Sequence, residues 1–394
     1  MIPNDFPTNQ EPYRTYFNYL EAKELRKFVD LRVLWFRAWL PGRKPIQTSV
    51  YNGIPVITAT APVIPNSNFA KINLILYHRF VWPFIYSYFE QVDIIHSIGV
   101  DFAGLLGGIW AKKTNLHHVT QLIAEVNYLK SDFRSYPYFD NLTKNLHGIA
   151  CNSKSLVNLG RKLFPKTANI KHIYRGVDLV RFTPHGPTIG PLKDYPPTRF
   201  LFLGGLPFYG SYKFKNNYKG GVTLMTAWKE AEDDLFSLGA YLLFAGPEGN
   251  NGIAKNWRDG LKYPGNVFLS GMIKFQDIPA ILRASDVVLV PSMSDGFPNV
   301  VFEAAACARP VFGSNIDCIS EIVVNGETGL LIPAGDISKW RSILIRYADS
   351  AKITQLKQMG ICARKQMESS FDYRNYAPQM VDLYRDAMEC SLHN

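Results

Sequence analysis

The chain has 394 residues, 47% of them hydrophobic, which is enough for two domains with separate cores. Its net charge of +10 falls wholly in the first half: residues 1–198 hold 23 Lys and Arg against 13 Asp and Glu, and residues 199–394 hold 20 of each. No uninterrupted apolar run reaches membrane-spanning length, no secretory leader is visible, and the five cysteines (151, 307, 318, 362 and 390) include no CxxC pair, so the chain reads as non-spanning, with free thiols in a reducing compartment.

Residues 2–7 (IPNDFP) offer at most the end of a strand. Residues 11–27 read as a helix and 31–35 (LRVLW) as a strand. The most apolar stretch, 72–89, contains His78, Arg79 and Pro83, which predicts a buried or interfacial helix. Residues 92–97, 116–121 and 148–151 are short strands of a parallel α/β pattern. Residues 170–174 lead into 175–184 (RGVDLVRFTP), and the Pro/Gly-rich stretch 183–197 is the expected linker. The domains are then 1–183, a linker at 184–198, and 199–370. A closing segment, 371–394, is helical through about residue 388.

A second alternating series starts at 200–205 (FLFLGG), a strand ending at Gly204 and Gly205. Lys219-Gly220-Gly221 opens a helix that runs through Trp228. A lysine there can meet a diphosphate as a point charge, worth roughly 1.5–3 kcal/mol per charge-assisted contact. Lys213 and Lys215 precede it and read as solvated or as substitutes. Gly246 and Gly271 end the strands at 240–246 and 266–271, where a missing Cβ permits close backbone approach.

The most informative stretch is 291–335. Residues 285–291 (SDVVLVP) form a strand, 293–297 a turn, and Pro298 fits the first position of a helix running to about residue 308. In a parallel sheet such a turn lies at the strands' carboxyl ends, where unpaired N–H groups of Gly296, Phe297, Asn299 and Val300 face a ligand crevice suited to a diphosphate. Asp295 precedes the helix, within reach of sugar hydroxyls; Glu303, about one and a half turns in, can accept from a ribose diol. Taken singly, Asp295 is a helix cap and Glu303 a solvated side chain; together in this segment they point to a site.

The segment resembles the EX7E region of GT-B glycosyltransferases, most closely the retaining family 4. There the first acid contacts the donor sugar and the second the nucleotide ribose, roles that fall on Asp295 and Glu303. Residues 303–310 (EAAACARP), 321–333 (EIVVNGETGLLIP) and the GVD…F.P run in 175–184 carry the same resemblance. It implies an α/β fold of GT-B architecture: two Rossmann-like domains facing across a cleft, with a carboxyl-terminal helix crossing back to the first. It implies transfer of a hexose from a UDP- or GDP-sugar, with no bound cofactor and no metal, to a saccharide or lipid-linked anionic acceptor hydroxyl, in cell-surface polysaccharide or glycolipid synthesis.

The basic, aromatic-rich first half fits an anionic acceptor or membrane surface at the cytoplasmic face of the plasma membrane, and no recognition motif points to nucleic acid. Four features depart from the family pattern. Asp295 stands for a glutamate, Gly205 for an arginine paired with Lys219, Gln121 or Leu122 for a histidine with Glu125 for an aspartate, and the opening strand is short. Gln121 is then expected to hydrogen-bond the sugar, making Asp295, Lys219 and Gln121 the catalytic set. His117 and His118 are expected to pack or cap. A nucleotide-sugar epimerase and a non-catalytic sugar-nucleotide binder are the alternatives; GxGxxG, GxSxG, GxxxxGK[ST] and HExxH are all absent.

Overall fold

The structure, a computed structural model, describes residues 1–8, 15–64, 69–123, 133–204, 206, 217–247, 249–250 and 252–389. It divides into two compact units, Met1–Arg175 with Arg374–Asn394, and Gly176–Tyr373.

The first unit contains strands β1 (Ile2–Pro3), β2 (Val33–Ala38), β3 (Ile46–Tyr51), β4 (Ile54–Ala61), β5 (Ile94–Ile98), β6 (His117–Leu122), β7 (Gly148–Cys151) and β8 (Asn169–His172). Five of them form a parallel sheet in the order β1-β5-β6-β7-β8. The opening strand is two residues long; it pairs with β5 on one side, and on the other Leu34 N–H donates to Met1 O at 2.9 Å and the Met1 amino group to Arg32 O at 2.8 Å, so it lies between β5 and the start of β2. The remaining strands follow in the order β2-β4-β3, the β3–β4 hairpin closed by Asn52 (φ 47°) and Gly53 (φ 82°). Both turn positions need positive φ, which Asn-Gly supplies at low cost.

One core of this unit gathers Leu34, Phe36, Ile57 and Ala59 under helices Ala70–Ile85 and Phe102–Thr114. Helix Ala70–Ile85 buries Leu74, Tyr77, Val81 and Ile85 and exposes Ile72, Ile75, Phe80 and Phe84, so it is half-buried. Among the described residues no helix is long and apolar enough to cross a membrane.

The second core joins helix Tyr16–Leu25 to Tyr376–Glu389, which contributes Tyr376, Met380, Leu383 and Tyr384. The closing helix therefore completes the first unit. Within this layer Glu21 and Arg175 form a buried ion pair, and Arg175 also donates to Asn18 Oδ1 at 2.9 Å.

The second unit holds β9 (Arg199–Leu203), β10 (Tyr241–Ala245), β11 (Val267–Leu269), β12 (Val287–Val290), β13 (Val311–Ser314) and β14 (Gly329–Ile332), all parallel, in the order β11-β10-β9-β12-β13-β14. Its central strands are apolar on both faces, as helix-covered parallel strands must be: Val287, Val288, Leu289 and Val290 are all buried. Counted within the unit, the order is 3-2-1-4-5-6, so chain direction across the sheet reverses between β9 and β12. A crevice opens at the carboxyl ends of the strands at such a reversal.

The boundary lies earlier than expected. Residues 184–198 are packed onto the second unit and do not act as a free linker. Leu192 is fully buried, Ile189 N–H donates to Ala280 O, and Arg283 Nε donates to Pro187 O at 2.9 Å. Proline and glycine here shape a surface strap whose backbone groups find partners.

Candidate functional site

The loops that follow β9 and β12 converge. After β12, residues 291–298 turn into helix Asn299–Ala306; before helix Gly221–Glu230, residues 217–220 lie directly against that turn. Tyr218 O accepts from Met293 N at 2.7 Å and from Ser294 N at 3.3 Å. Gly220 has φ 73°, and a Cβ there would stand 1.7 Å from Pro291 O. Only glycine fits both the backbone angle and the space. This contact joins the two loops and sets the direction of Lys219.

Lys219 Nζ donates to Asp295 Oδ2 at 2.5 Å. The other carboxylate oxygen, Oδ1, accepts from Gly296 N–H at 3.0 Å, so Asp295 is fixed at both oxygens. The Gly296 N–H, expected to face the ligand, donates here to Asp295. The pair is partly exposed, with side-chain exposures of 31% for Lys219 and 11% for Asp295, so an incoming ligand can reach both.

The helix at this turn begins one residue later and ends sooner than the sequence suggests. Pro298 is its N-cap (φ −76°, ψ 94°), with no side-chain cap, and the helix stops at Ala306 because Ala308 takes φ 56° ahead of Arg309 and Pro310. Asn299 and Val300 occupy the first two helical positions, where N–H groups have no acceptor inside a helix. Their N–H groups and the positive end of the helix dipole favour an anion. The Phe297 ring stacks on Phe302 at 4.4 Å, anchoring the turn inward.

Glu303 lies on the same helix, half-buried, and among the described residues its side chain has no hydrogen bond or ion pair. Burial raises its carboxyl to about 7, against a smaller opposing pull from Arg181. Arg181 is held close by Nη2 donating to Phe275 O at 2.7 Å and by its guanidinium 3.9 Å from the Phe275 ring centroid. The sequence reading gave Arg181 no site role; its only signal is a cation inside the GVDLVRF run.

The predicted glycine rim is present where described. Gly204 N donates to Ala245 O, and Gly246 N to Gly271 O, so the ends of β9, β10 and β11 are tied in a row. Gly204 also faces Lys219, whose Cβ would lie 3.5 Å from an added Cβ. Gly205, Lys213, Lys215 and Glu125 lie outside the described residues. Gly204, Lys219, Gly220, Asp295, Pro298 and Glu303 thus belong to one unit and one set of strand ends.

Gln121 does not join them. It is the penultimate residue of β6 in the first unit, with a fully buried side chain, its amide nitrogen 2.9 Å from Glu21 Oε2 and 3.1 Å from His96 Nε2, and bonded to the Tyr376 hydroxyl. A polar residue near a strand's carboxyl end reads as ligand-facing, but this one is consumed by the Glu21–Arg175 layer beneath the closing helix. Its amide nitrogen is engaged within this buried layer of the first unit. His118 is likewise internal, 2.8 Å from Ser97 Oγ, and burial lowers it to about 3.

Residues 205–350 match the family model described as Glycosyl transferases group 1. The chain carries a glycosyltransferase group 1 domain. The match covers the strand ends and helices that hold Lys219, Asp295 and Glu303. Over 113 residues the chain is 34% identical to D-inositol 3-phosphate glycosyltransferase of Saccharomonospora viridis, covering 29% of this chain and 26% of that protein. Over 312 residues it is 27% identical to the UDP-Gal:alpha-D-GlcNAc-diphosphoundecaprenol alpha-1,3-galactosyltransferase of Escherichia coli, covering 75% and 76%. The chain thus spans about a quarter of the length of the first of these relatives and three quarters of the second. The structure of Anabaena HepE in complex with UDP and glucose aligns with a TM-score of 0.68 at 16% identity, covering 98% of both chains. The fold is therefore that of GT-B glycosyltransferases, and the group 1 match falls within the second unit.

Proposed function

We propose that the protein transfers a hexose from a nucleoside-diphosphate sugar to an acceptor hydroxyl, with retention at the anomeric carbon. The observation that carries this reading is the meeting, at the β9/β12 reversal, of the Lys219–Asp295 pair, an uncapped helix N-terminus and the unpaired carboxylate of Glu303. Each suits a different part of one ligand. Lys219 and the N–H groups of Asn299 and Val300 suit the diphosphate, Glu303 the ribose diol, and Asp295 the sugar hydroxyls.

In the reaction the bond from C1 of the sugar to the diphosphate breaks, the acceptor oxygen bonds to C1, and the acceptor proton leaves with the diphosphate. Lys219 and the helix N-terminus stabilise charge that grows on the leaving diphosphate, which is where a preorganised cation lowers the barrier. The diphosphate is proposed to bind without a metal, its charge met by these groups. UDP is the favoured nucleotide, since the E. coli relative is named for UDP-Gal and HepE is bound to UDP and glucose.

The proposed setting is cell-surface polysaccharide or glycolipid synthesis at the cytoplasmic face of the membrane. The basic first half and the exposed Ile72, Ile75, Phe80 and Phe84 favour contact with an anionic lipid surface there. The test is a thermal-shift panel of UDP, GDP and ADP with their hexose conjugates, repeated on Glu303→Ala. A shift specific to one nucleotide and lost in the variant is expected. A cooperatively melting protein that shifts with none of them would overturn the reading.

A further inference from the structure

The second face of the three-stranded sheet is only partly covered: Val33, Trp35, Tyr51 and Val56 pack into the core with helix Tyr16–Leu25, and the rest stays open. Strand alternation sends Leu34, Phe36, Ile57 and Ala59 into the core and turns Trp35, Arg37, Thr58 and Thr60 the other way, with Gln47 of β3 paired to Thr58. Beyond the buried ring of Trp35, this second face opens into a groove of about 320 Å³. Arg37, Arg43 and Lys44 line it together with Gln47, Thr58 and Thr60, and no carboxylate lines it among the described residues.

Two of the three cations are held by their side chains, and the third by the backbone of its turn. Arg37 lies over the Trp35 ring, its guanidinium carbon 4.8 Å from the centroid. Arg43 donates to Ala38 O at 3.1 Å, and its own carbonyl accepts from Trp39 Nε1 at 3.1 Å. The Thr60 hydroxyl donates to Lys44 O at 2.9 Å, and Thr60 N–H to Pro45 O, which pins the turn that carries Arg43 and Lys44. Among the described residues none of the three has an ion pair, although 13 acidic side chains lie in the first half of the chain. Fixed like charges facing one cavity repel each other until an anion enters, and guanidinium forks match phosphate oxygens best.

We infer that this groove binds a phosphate monoester or diphosphate group. On the glycosyl-transfer reading above, that group is the phosphate of the acceptor. Either a lipid-linked or a soluble phosphate offers this chemistry. Trp39 and Leu40, 46% and 50% exposed on the turn between Arg37 and Arg43, place an apolar surface beside the cations.

The experiment uses the full chain carrying Lys219→Ala, which weakens the other diphosphate site, and the same chain with Arg37→Gln and Arg43→Gln added. Inorganic pyrophosphate is titrated by calorimetry, and sedimentation is measured with phosphatidylcholine vesicles with and without phosphatidic acid. The expected result is pyrophosphate binding that weakens at least tenfold in the added variants. Vesicle binding that requires phosphatidic acid and falls in parallel assigns the group to a lipid, and pyrophosphate binding without vesicle binding assigns it to a soluble acceptor. Absent pyrophosphate binding, or binding equal in both chains, overturns the inference, as does vesicle binding alone, which would describe a charged membrane surface. The UDP thermal shift of a chain with Arg37→Gln and Arg43→Gln only reports both its folding and the donor site, so failure of the donor reading is seen separately.

Discussion

Burial raises the Glu303 carboxyl to about 7 and Arg181 opposes it, so near neutral pH this side chain is divided between its two forms. An unfolded glutamate titrates near 4.5. Between those values the folded state binds more protons than the unfolded one, so this group's contribution to stability is full below pH 4.5 and lost as pH rises through 7, by about 3 kcal/mol at most. The melting temperature of the native chain should therefore fall more from pH 5 to pH 8 than that of Glu303→Gln. Ligand binding should run the other way. A ribose diol donates best to the ionised form, so UDP affinity should tighten from pH 6 to pH 8 and be flat in Glu303→Gln. At the ion pair, Lys219→Ala should weaken binding of the nucleotide sugar by about 10- to 100-fold, the value of a charge-assisted contact. Asp295→Asn should chiefly lower kcat, because it alters contact with the transferred sugar. Steady-state kinetics separate the two. Both acids were legible from their spacing in one segment, but the Lys219–Asp295 pair spans 76 positions and no local pattern announces it. Gln121 was misread for the same reason: its partners Glu21 and Tyr376 lie 100 and 255 positions away.

Among the elements, the turn at Gly220 does the most to shape the donor site without touching a ligand. Gly220→Ala meets both a positive φ and a carbonyl 1.7 Å away, so it must displace the Pro291 loop, at a cost of about 2–4 kcal/mol. Nucleotide affinity should fall with it, because Lys219 and Asp295 are carried on the two loops that separate; denaturant melts and UDP titration of the variant check both. Strands β9, β10 and β12 were readable as short β-branched or aromatic runs, and helix Gly221–Glu230 from its glycine start. The β3–β4 hairpin was not read, although Asn52-Gly53 between alternating residues is a strong local signal for it. Helix Asn299–Ala306 was placed one residue early because proline satisfies a first helical position and an N-cap almost equally well in sequence, and the difference is a matter of ψ alone.

The second unit holds Lys219, Asp295, Asn299 and Glu303 of the proposed donor site and has its own core, built around Phe200, Trp228, Leu289 and Trp340. Residues 176–373 expressed alone should therefore fold cooperatively and keep a UDP thermal shift that Lys219→Ala reduces, whereas residues 1–175 alone should melt without cooperativity. Two domains were legible from length and from the two alternating series. Their boundary was not, since a Pro/Gly-rich stretch reads as a linker whether its backbone partners are water or the neighbouring helix.

The helix Tyr376–Glu389 closes a core that begins with Tyr19, Ala22 and Leu25. On the ribosome those early residues wait for more than 350 others, roughly 20–70 s at ordinary rates of synthesis, while the whole second unit emerges and is free to fold. The nascent chain thus completes its middle first and its beginning last. During that interval Glu21 and Arg175 lack the cover of Tyr376, and the apolar surface around Leu25 is open to chaperones or to a neighbouring nascent chain. Message truncated before the last helix would yield a finished second unit tethered to an amino-terminal half that never closes.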